Sequence, residues 1–370
     1  DAESARAGAD PGPLPAVLHL DGGRVWAGGQ NQVRLLMREL AVRGVRQLCV
    51  CPRGSPLEAW LRAEGLPVEG VPWRGAFGLR AVLAAAWRAQ EFDVVHCHDA
   101  HALQVALGPA RLLGVPVVAT RRMHFRGSGF TWGRADRVIA ISEWVRAGLL
   151  RSGVRPGRIR RVPSGIDPAE VAALPPARPP LRARLGLGPG DFLVGNVGHL
   201  HPFKGQEAIP AAAARVPGVH WAIVGEGPLR AALERAVAAR GVGDRVHLVG
   251  ALPDARRVLR EFDLFVFPSL REPLGTSVLD AMAAGVPVVA ADAAGPAEVL
   301  GPVHRRTGAT LFPPGDAEAL AALVERVRAD PTLRRAMVEA QAERIRDFTA
   351  AAMAAGVLAV YREALREAGR

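Results

Sequence analysis

The sequence predicts an α/β protein of two doubly wound parallel-sheet domains facing each other across a cleft. Three observations predict it. The chain has 370 residues, about twice the usual length of a single domain. Short apolar runs alternate with longer amphipathic ones, the βαβ pattern of a parallel sheet covered by helices. A proline-rich stretch at 168–180 stops that alternation, which then restarts.

In the first half, 16–20, 47–51, 68–71, 94–98, 116–120 and 137–141 read as strands, each a short apolar run bounded by turn residues. Apolar residues recur at helical spacing over 30–42, 56–64, 79–90 and 100–113, which read as helices. In the second half, 192–197, 219–224, 246–249, 264–267 and 286–290 read as strands with helices between them, and the chain turns helical from 316. The segmentation is a disordered N-terminal piece 1–15, a first domain 16–170, a linker 171–185, a second domain 186–348 and a C-terminal helix 349–370. Sheets of this kind bind ligands at the carboxyl ends of their strands, so function is sought in the cleft.

Composition narrows the classes. With 49% hydrophobic and 22% charged residues, the chain can bury a large core, and wholesale disorder is excluded. Apolar stretches such as 281–291 are broken by Gly and Pro and fall short of the ~18–20 residues that span a bilayer. The first fifteen residues lack the basic start and apolar stretch of a signal peptide. The expected location is cytoplasmic, extending to the inner face of the cell membrane. Cys49, Cys51 and Cys97 lie in apolar runs without metal-ligand spacing and read as reduced core thiols. The net charge is +11, and of the 47 Lys plus Arg only Lys204 is a lysine. Positive charge favours anionic partners. The arginines are spread along helices without interleaved aromatics, which argues against a nucleic-acid reader. No complete G-x-G-x-x-G follows a strand, since Gly225-Glu226-Gly227 has only its first two glycines. This disfavours a nicotinamide or flavin dehydrogenase.

Two loops after strands carry the chemistry. Lys204 follows a turn at Pro202, with a helix expected to start near Gly205, and a lysine before a helix N-terminus makes a phosphate site. The second loop presents Glu272 before a helix expected at Gly275 to Ser277, with hydroxyl caps and free N–H groups able to hold a diphosphate. Carboxylates beside a diphosphate repel it unless they bind hydroxyls, and sugar and ribose hydroxyls are their natural partners. Spacing alone gives this reading no more weight than the plain one, in which Glu272 is a surface loop residue and Asp280 a solvent-facing helix residue.

In combination these residues resemble the family 4 retaining glycosyltransferases of the GT-B fold, over about residues 16 to 345. The resemblance rests on a Gly-rich loop after the first strand, Val95-His96-Cys97-His98-Asp99, Ser142 after an apolar strand, Val162-Pro163-Ser164-Gly165-Ile166-Asp167, the Lys204-Gly205 turn, Gly225-Glu226-Gly227-Pro228, and Glu272 with seven residues to Asp280. Bacterial enzymes of cell-surface glycan or lipopolysaccharide-type assembly carry a similar Gly275-Thr276-Ser277-Val278-Leu279-Asp280-Ala281-Met282 run.

The resemblance implies that Lys204 and His199 contact the diphosphate of a nucleoside diphosphate sugar and that Glu272 binds the donor sugar. It implies that Gly275 and Thr276 give amides to the phosphates, that Asp280 binds the ribose, and that the last helix packs back on the first domain. Gly28, Gly29, Glu226, Leu252 and Ser277 complete the expected donor set. The expected catalytic residues are Glu272, Lys204 and His98; Arg122, His124 and Ser142 are expected to orient the sugar or the acceptor. The chain departs from the family pattern where His199 replaces arginine, where Asp280 replaces glutamate, and where Arg122 stands near the place of a histidine.

His96, His98, Asp99 and His101 have the look of a metal cluster, but histidines at a strand end more often line a cleft or touch substrate. No D-x-D motif occurs, and no metal or other cofactor is expected. The resemblance implies retention at the anomeric carbon. Without an evident nucleophile, the expected route is same-face, the departing phosphate oxygen helping to deprotonate the acceptor hydroxyl. A sugar-nucleotide epimerase of the same fold and a non-catalytic nucleotide-sugar-binding protein are the rival readings. The acceptor, a glycan or lipid-linked molecule, is expected on the first domain. The loop 121–132, with Met123, Phe125, Phe130 and Trp132, mixes basic and bulky apolar residues and is a candidate for peripheral membrane contact.

Overall fold

The computed structural model describes residues 13–73, 78–123 and 129–369. The chain forms two compact units. The first comprises residues 1–141, 145–162 and 353–370; the second comprises 142–144 and 163–352.

Unit 1 contains β1 (Val17–Leu20), α1 (Gly28–Val42), β2 (Gln47–Pro52), α2 (Pro56–Ala63), β3 (Val68–Val71), α3 (Leu79–Ala89), β4 (Val94–Cys97), α4 (Ala100–Leu112), β5 (Val117–Arg121), α5 (Gly129–Trp132) and β6 (Arg137–Ala140). It continues with most of α6 (Glu143–Arg151) and with β7 (Ile159–Arg161). All seven strands are parallel, in the order β3-β2-β1-β4-β5-β6-β7. The strands read as continuous apolar runs because helices cover a parallel sheet on both faces. Every residue of β1, β4 and β6 is buried. The three cysteines are buried free thiols, as expected of core residues.

Unit 2 contains α7 (Pro168–Ala173), α8 (Leu181–Arg184), β8 (Phe192–Val197), α9 (Ala208–Ala213), β9 (Val219–Val224), α10 (Arg230–Ala239), β10 (Val246–Gly250), β11 (Leu264–Phe267), α11 (Thr276–Ala283), β12 (Val288–Ala291), α12 (Ala294–Thr307), β13 (Leu311–Phe312), α13 (Ala317–Ala329) and α14 (Pro331–Arg344). Its parallel sheet runs β10-β9-β8-β11-β12-β13 around a core centred on Trp221, Val194, Leu233 and Val266. The last helix, α15 (Ala350–Glu367), starts in unit 2 and belongs to unit 1 from Met353. There Glu363 and Glu367 pair with Arg137, Glu363 pairs with Arg160, and the Tyr361 hydroxyl meets His96 Nδ1 at 2.6 Å.

In each sheet the order of strand addition reverses once, between β1 and β4 in unit 1 and between β8 and β11 in unit 2. Such switch points open a crevice at the carboxyl ends of the strands. The structure differs from the sequence reading in several local ways. The units divide at Val162/Pro163, ahead of the expected boundary at 170. The expected linker carries α8, and Arg182 ties it to unit 2 by donating to Asp263 and to the Asp191 carbonyl. Proline there starts structure instead of breaking it, because Pro168 occupies the first turn of α7, where no backbone donor is needed. Strands β7 and β13, of three and two residues, are too short to show a period.

Candidate active site

In unit 2, the loops after β8 and β11 meet across the switch point. Residues Pro202–Lys204 form a 3-10 turn, Gly205 closes it at φ +65°, and α9 starts only at Ala208. Lys204 is therefore not at the start of a helix, contrary to expectation: the left-handed Gly205 separates the turn from α9. A Cβ on Gly205 would lie 2.1 Å from the Pro268 carbonyl oxygen, so only glycine lets the two loops approach this closely. Leu270 N donates to the Phe203 carbonyl at 2.9 Å and fastens the contact.

This places Lys204 against Glu272: the ammonium donates to the carboxylate, and both side chains are more than four-fifths shielded. Phe203 and Phe267 each lie 5.6 Å from the ammonium, within reach of cation–π attraction. The Glu272 carbonyl accepts from Gly295 N at 2.9 Å, which anchors its loop to α12. Gly275, at φ +90°, precedes α11, and no side chain caps that helix. The expected hydroxyl caps at Thr276 and Ser277 are absent, because the left-handed glycine turns the chain directly into the helix. Its first N–H groups and dipole therefore favour an anion.

The sequence motif pairs Glu272 with Asp280, but the structure gives them different cations. Asp280 lies on α11 beside Arg256, whose guanidinium grips Asp254 (Nε–Oδ1 and Nη2–Oδ2, both 3.0 Å) and donates to Glu170 at 2.9 Å. Burial pushes the Asp280 carboxyl up to about 7, opposed by Arg256 and reinforced by the charges of Asp254 and Glu170. Sequence reading missed this cluster, which converges from α7, the 3-10 turn Ala255–Glu261 and α11. Its only local trace is Asp254 two residues before Arg256.

His199 is exposed and packs over Gly227, where a Cβ would lie 2.8 Å from its Cε1. Glu226 accepts from Arg230 at 2.7 Å, one helical turn on. Leu252 is half-buried, two residues beyond β10. Ser142 is buried and belongs to the 142–144 segment of unit 2, beside Glu143, whose N–H donates to Glu298 at 2.7 Å.

Unit 1 brings a different set together. Gly28 and Gly29 form the first turn of α1 and not a loop, because the helix starts two residues before the apolar period shows it. Gly29 faces Arg122, with 3.8 Å from its Cβ position to Arg122 Cδ. Arg122 donates to the His98 carbonyl (2.9 Å) and meets His98 Nδ1 at 3.3 Å. His98 Nε2 in turn meets His19 Nδ1 at 3.0 Å. Arginine can only donate, so His98 Nδ1 accepts and its Nε2 carries the proton toward His19. Gln47, beyond His19, donates to the Met37 carbonyl at 2.7 Å.

This alignment follows from register, since His19 pairs with His96 across β1 and β4 and His98 lies two residues further on the same face. Burial lowers all three imidazoles, His19 to about 3, and keeps them neutral. Arg122 is lowered to about 10 by burial, against the pull of Asp21 and Asp99, and stays charged. Burial, with the Asp99 charge, raises Asp21 to about 6. Asp99 itself caps α4 by accepting from His101 N and Ala102 N, and its other oxygen accepts from Gly22 N at 2.5 Å. Beside them lies a cavity of about 470 Å³ lined by Asp99, His101, Arg121, Arg122, Met123 and Trp132, with Arg121 stacked 4.7 Å over Trp132. His124 lies outside the described residues.

Among the described residues, His19, His96 and His98 are close enough to share an ion. Asp99, which the sequence groups with them, is engaged in capping α4, and the His101 side chain is exposed on the first turn of that helix. The trio fits a metal poorly. Both ring nitrogens of His96 are taken by Tyr361 and Thr120, both of His98 by His19 and Arg122, and the Arg122 cation adjoins the set.

Two parallel-sheet units, each with polar groups at its switch point, have the architecture of the GT-B type. Residues 177–344 match the "Glycosyl transferases group 1" family and residues 26–170 match "Glycosyltransferase Family 4". A 2-deoxystreptamine glucosyltransferase of Streptomyces kanamyceticus is 32% identical, over 90% of this chain and 98% of its own. A D-inositol 3-phosphate glycosyltransferase of Segniliparus rotundus is also 32% identical, over 84% and 74%. LpsD, a lipopolysaccharide core glycosyltransferase of Rhizobium meliloti, is 33% identical over 46% and 49%. In fold the chain resembles the Anabaena protein HepE crystallised with UDP-glucose (TM-score 0.76, 23% identity, 95% and 100% covered). The chain belongs to the group 1, family 4 glycosyltransferases.

Proposed function

We propose that this glycosyltransferase moves a hexose from a uridine diphosphate sugar to a hydroxyl of a polyhydroxylated ring, with retention of anomeric configuration and without a metal ion. The observation that carries the reading is the shielded Lys204–Glu272 pair beside the uncapped start of α11. Bond cleavage puts negative charge on the leaving diphosphate. A lysine and oriented amides stabilise that charge without reorganising, so electrostatic preorganisation dominates. With Lys204 drawn to the phosphates, Glu272 turns to the sugar hydroxyls, and Asp280 takes the ribose. The pair supplies the cation that a metal supplies elsewhere. The same-face route, with the leaving oxygen accepting the acceptor proton, needs no nucleophile from the chain.

The unit 1 cavity suits a small acceptor, with Trp132 as an apolar wall and Asp99, His101 and Arg122 as hydroxyl partners. A cyclitol is the favoured acceptor class, because relatives named for cyclitol acceptors match most of the chain. The lipopolysaccharide-core relative supports a second reading, a cytoplasmic step in building a cell-surface glycan. Release of nucleoside diphosphate, measured with a panel of donors against cyclitols and lipid-linked sugars, decides between them. Turnover with a cyclitol supports the first; turnover only with a lipid-linked sugar supports the second. Binding of donor without transfer to any acceptor counts against both.

A further inference from the structure

Helix α3 is built inside out. Its buried face is Ala81, Ala85 and Ala89, each within 2% of full burial, whereas Leu79, Leu83 and Trp87 are 70, 58 and 70% exposed. Residues spaced by four lie in one line along a helix, so the three large apolar side chains form a single outward stripe. A surface helix ordinarily turns such residues inward. Arg80 is exposed beside the stripe, and Arg88 is held by Glu69 and Glu91.

The stripe belongs to a wider asymmetry. Unit 1 has 26 basic and 14 acidic residues, a net charge of +12, while unit 2 has 21 and 22, a net charge of −1. Of the 13 large hydrophobic side chains exposed among the described residues, 11 belong to unit 1. Positive charge and exposed apolar surface thus occur on the same unit. A second copy of this chain would bring +12 against +12, which disfavours self-association there.

We propose that the α3 stripe docks unit 1 onto an anionic lipid bilayer, Leu79, Leu83 and Trp87 entering the headgroup boundary while arginines meet the lipid charge. Tryptophan and leucine on one face of a helix that also exposes Arg80, in a unit of net charge +12, have the chemistry of an interfacial helix. The site is distinct from the loop expected at 121–132, where Trp132 is buried while Met123 and Phe130 are exposed, Phe130 with the Arg134 guanidinium 3.9 Å from its ring. The docking stands apart from the sugar-transfer reading, since binding is read without turnover.

The test is co-sedimentation of the full chain with phosphatidylcholine vesicles, with and without phosphatidylglycerol, for the wild type and the double variant Leu83→Glu/Trp87→Glu. The wild type is expected to pellet with the anionic vesicles at low salt. The variant, folded by circular dichroism and unchanged in melting temperature, is expected to bind at least about tenfold more weakly. Equal binding by variant and wild type, binding indifferent to phosphatidylglycerol, or no pelleting overturns the proposal. So does a wild-type dimer that the double variant dissociates, which would make a second copy the occupant. A Leu83→Ala/Trp87→Phe variant, milder in charge, should fall between the two.

Discussion

The two switch points use one topology and opposite electrostatics. In unit 2, an ammonium and a carboxylate meet in a shielded loop contact, Lys204 against Glu272, next to an uncapped helix start. In unit 1, the neutral imidazoles of His98 and His19 line up behind one guanidinium, Arg122, with His96 alongside. Opposite charges that satisfy each other can both be released to a ligand that carries a diphosphate and hydroxyls. A chain of neutral hydrogen bonds has no charge to release; it fixes the direction of the single cation at its end. In the proposed reaction, the contrast gives charge stabilisation to unit 2 and positioning to unit 1.

The strongest way to break this contrast is Lys204→Ala, expected to lower kcat about 10²–10³-fold, as loss of a transition-state charge partner does. Glu272→Ala should act on the same step. In the double variant the losses should be far from additive, because the two groups form one unit; additive kinetics would dissolve the pair. Arg122→Ala should cost about tenfold, mostly in acceptor KM, since positioning contributes through geometry. A loss in unit 1 equal to that of Lys204→Ala would erase the division of labour.

The pH dependence of stability sharpens the comparison. His19 is lowered from 6.5 to about 3, so the stability it contributes is present above pH 6.5 and is lost as pH falls toward 3. Asp280 is raised from 3.8 to about 7, so its contribution is present below pH 3.8 and is lost as pH rises through 7. Thermal melts from pH 4 to 8 should show that Asp280→Asn removes part of the loss on the alkaline side. His19→Gln should remove part of the loss on the acid side. Parallel shifts at every pH would contradict both assignments.

Two glycines give the smallest effects and opposite signs. Gly205→Ala forces a Cβ toward Pro268 at a left-handed position and should destabilise by about 1–3 kcal/mol while misplacing Lys204. Gly29→Ala adds a Cβ at ordinary contact distance from Arg122 Cδ, 3.8 Å, in the first turn of α1 and should stabilise by about 0.5–1 kcal/mol. A rise in donor KM in a stable Gly29→Ala protein would show that the donor passes close to that backbone.

Local signals made part of this legible. The strands of 192–197, 219–224 and 264–267 coincide with β8, β9 and β11, because both faces of a parallel sheet are buried and the apolar run ends where the strand ends. Lys204 and Glu272 were legible as the charged residues of two loops after strands. Their mutual pairing was not, since 68 residues separate them and only the close approach at Gly205 brings them together. His19 was hidden within an apolar strand, where a polar residue has no periodic signature. Its partner became visible only through the β1–β4 register. The cluster of Glu170, Asp254 and Arg256 shares that reason, and the expected linker, rich in proline, concealed a segment that folds with unit 2.

Retention, and leaving-group charge stabilised by the chain without a metal, are tested most directly by proton NMR of the first product formed, with a chelator present. The expected product is a glycoside with the donor's anomeric configuration, made at an unchanged rate by the wild type and scarcely at all by Lys204→Ala. An inverted product, or a rate abolished by the chelator and restored by a divalent ion, would contradict it.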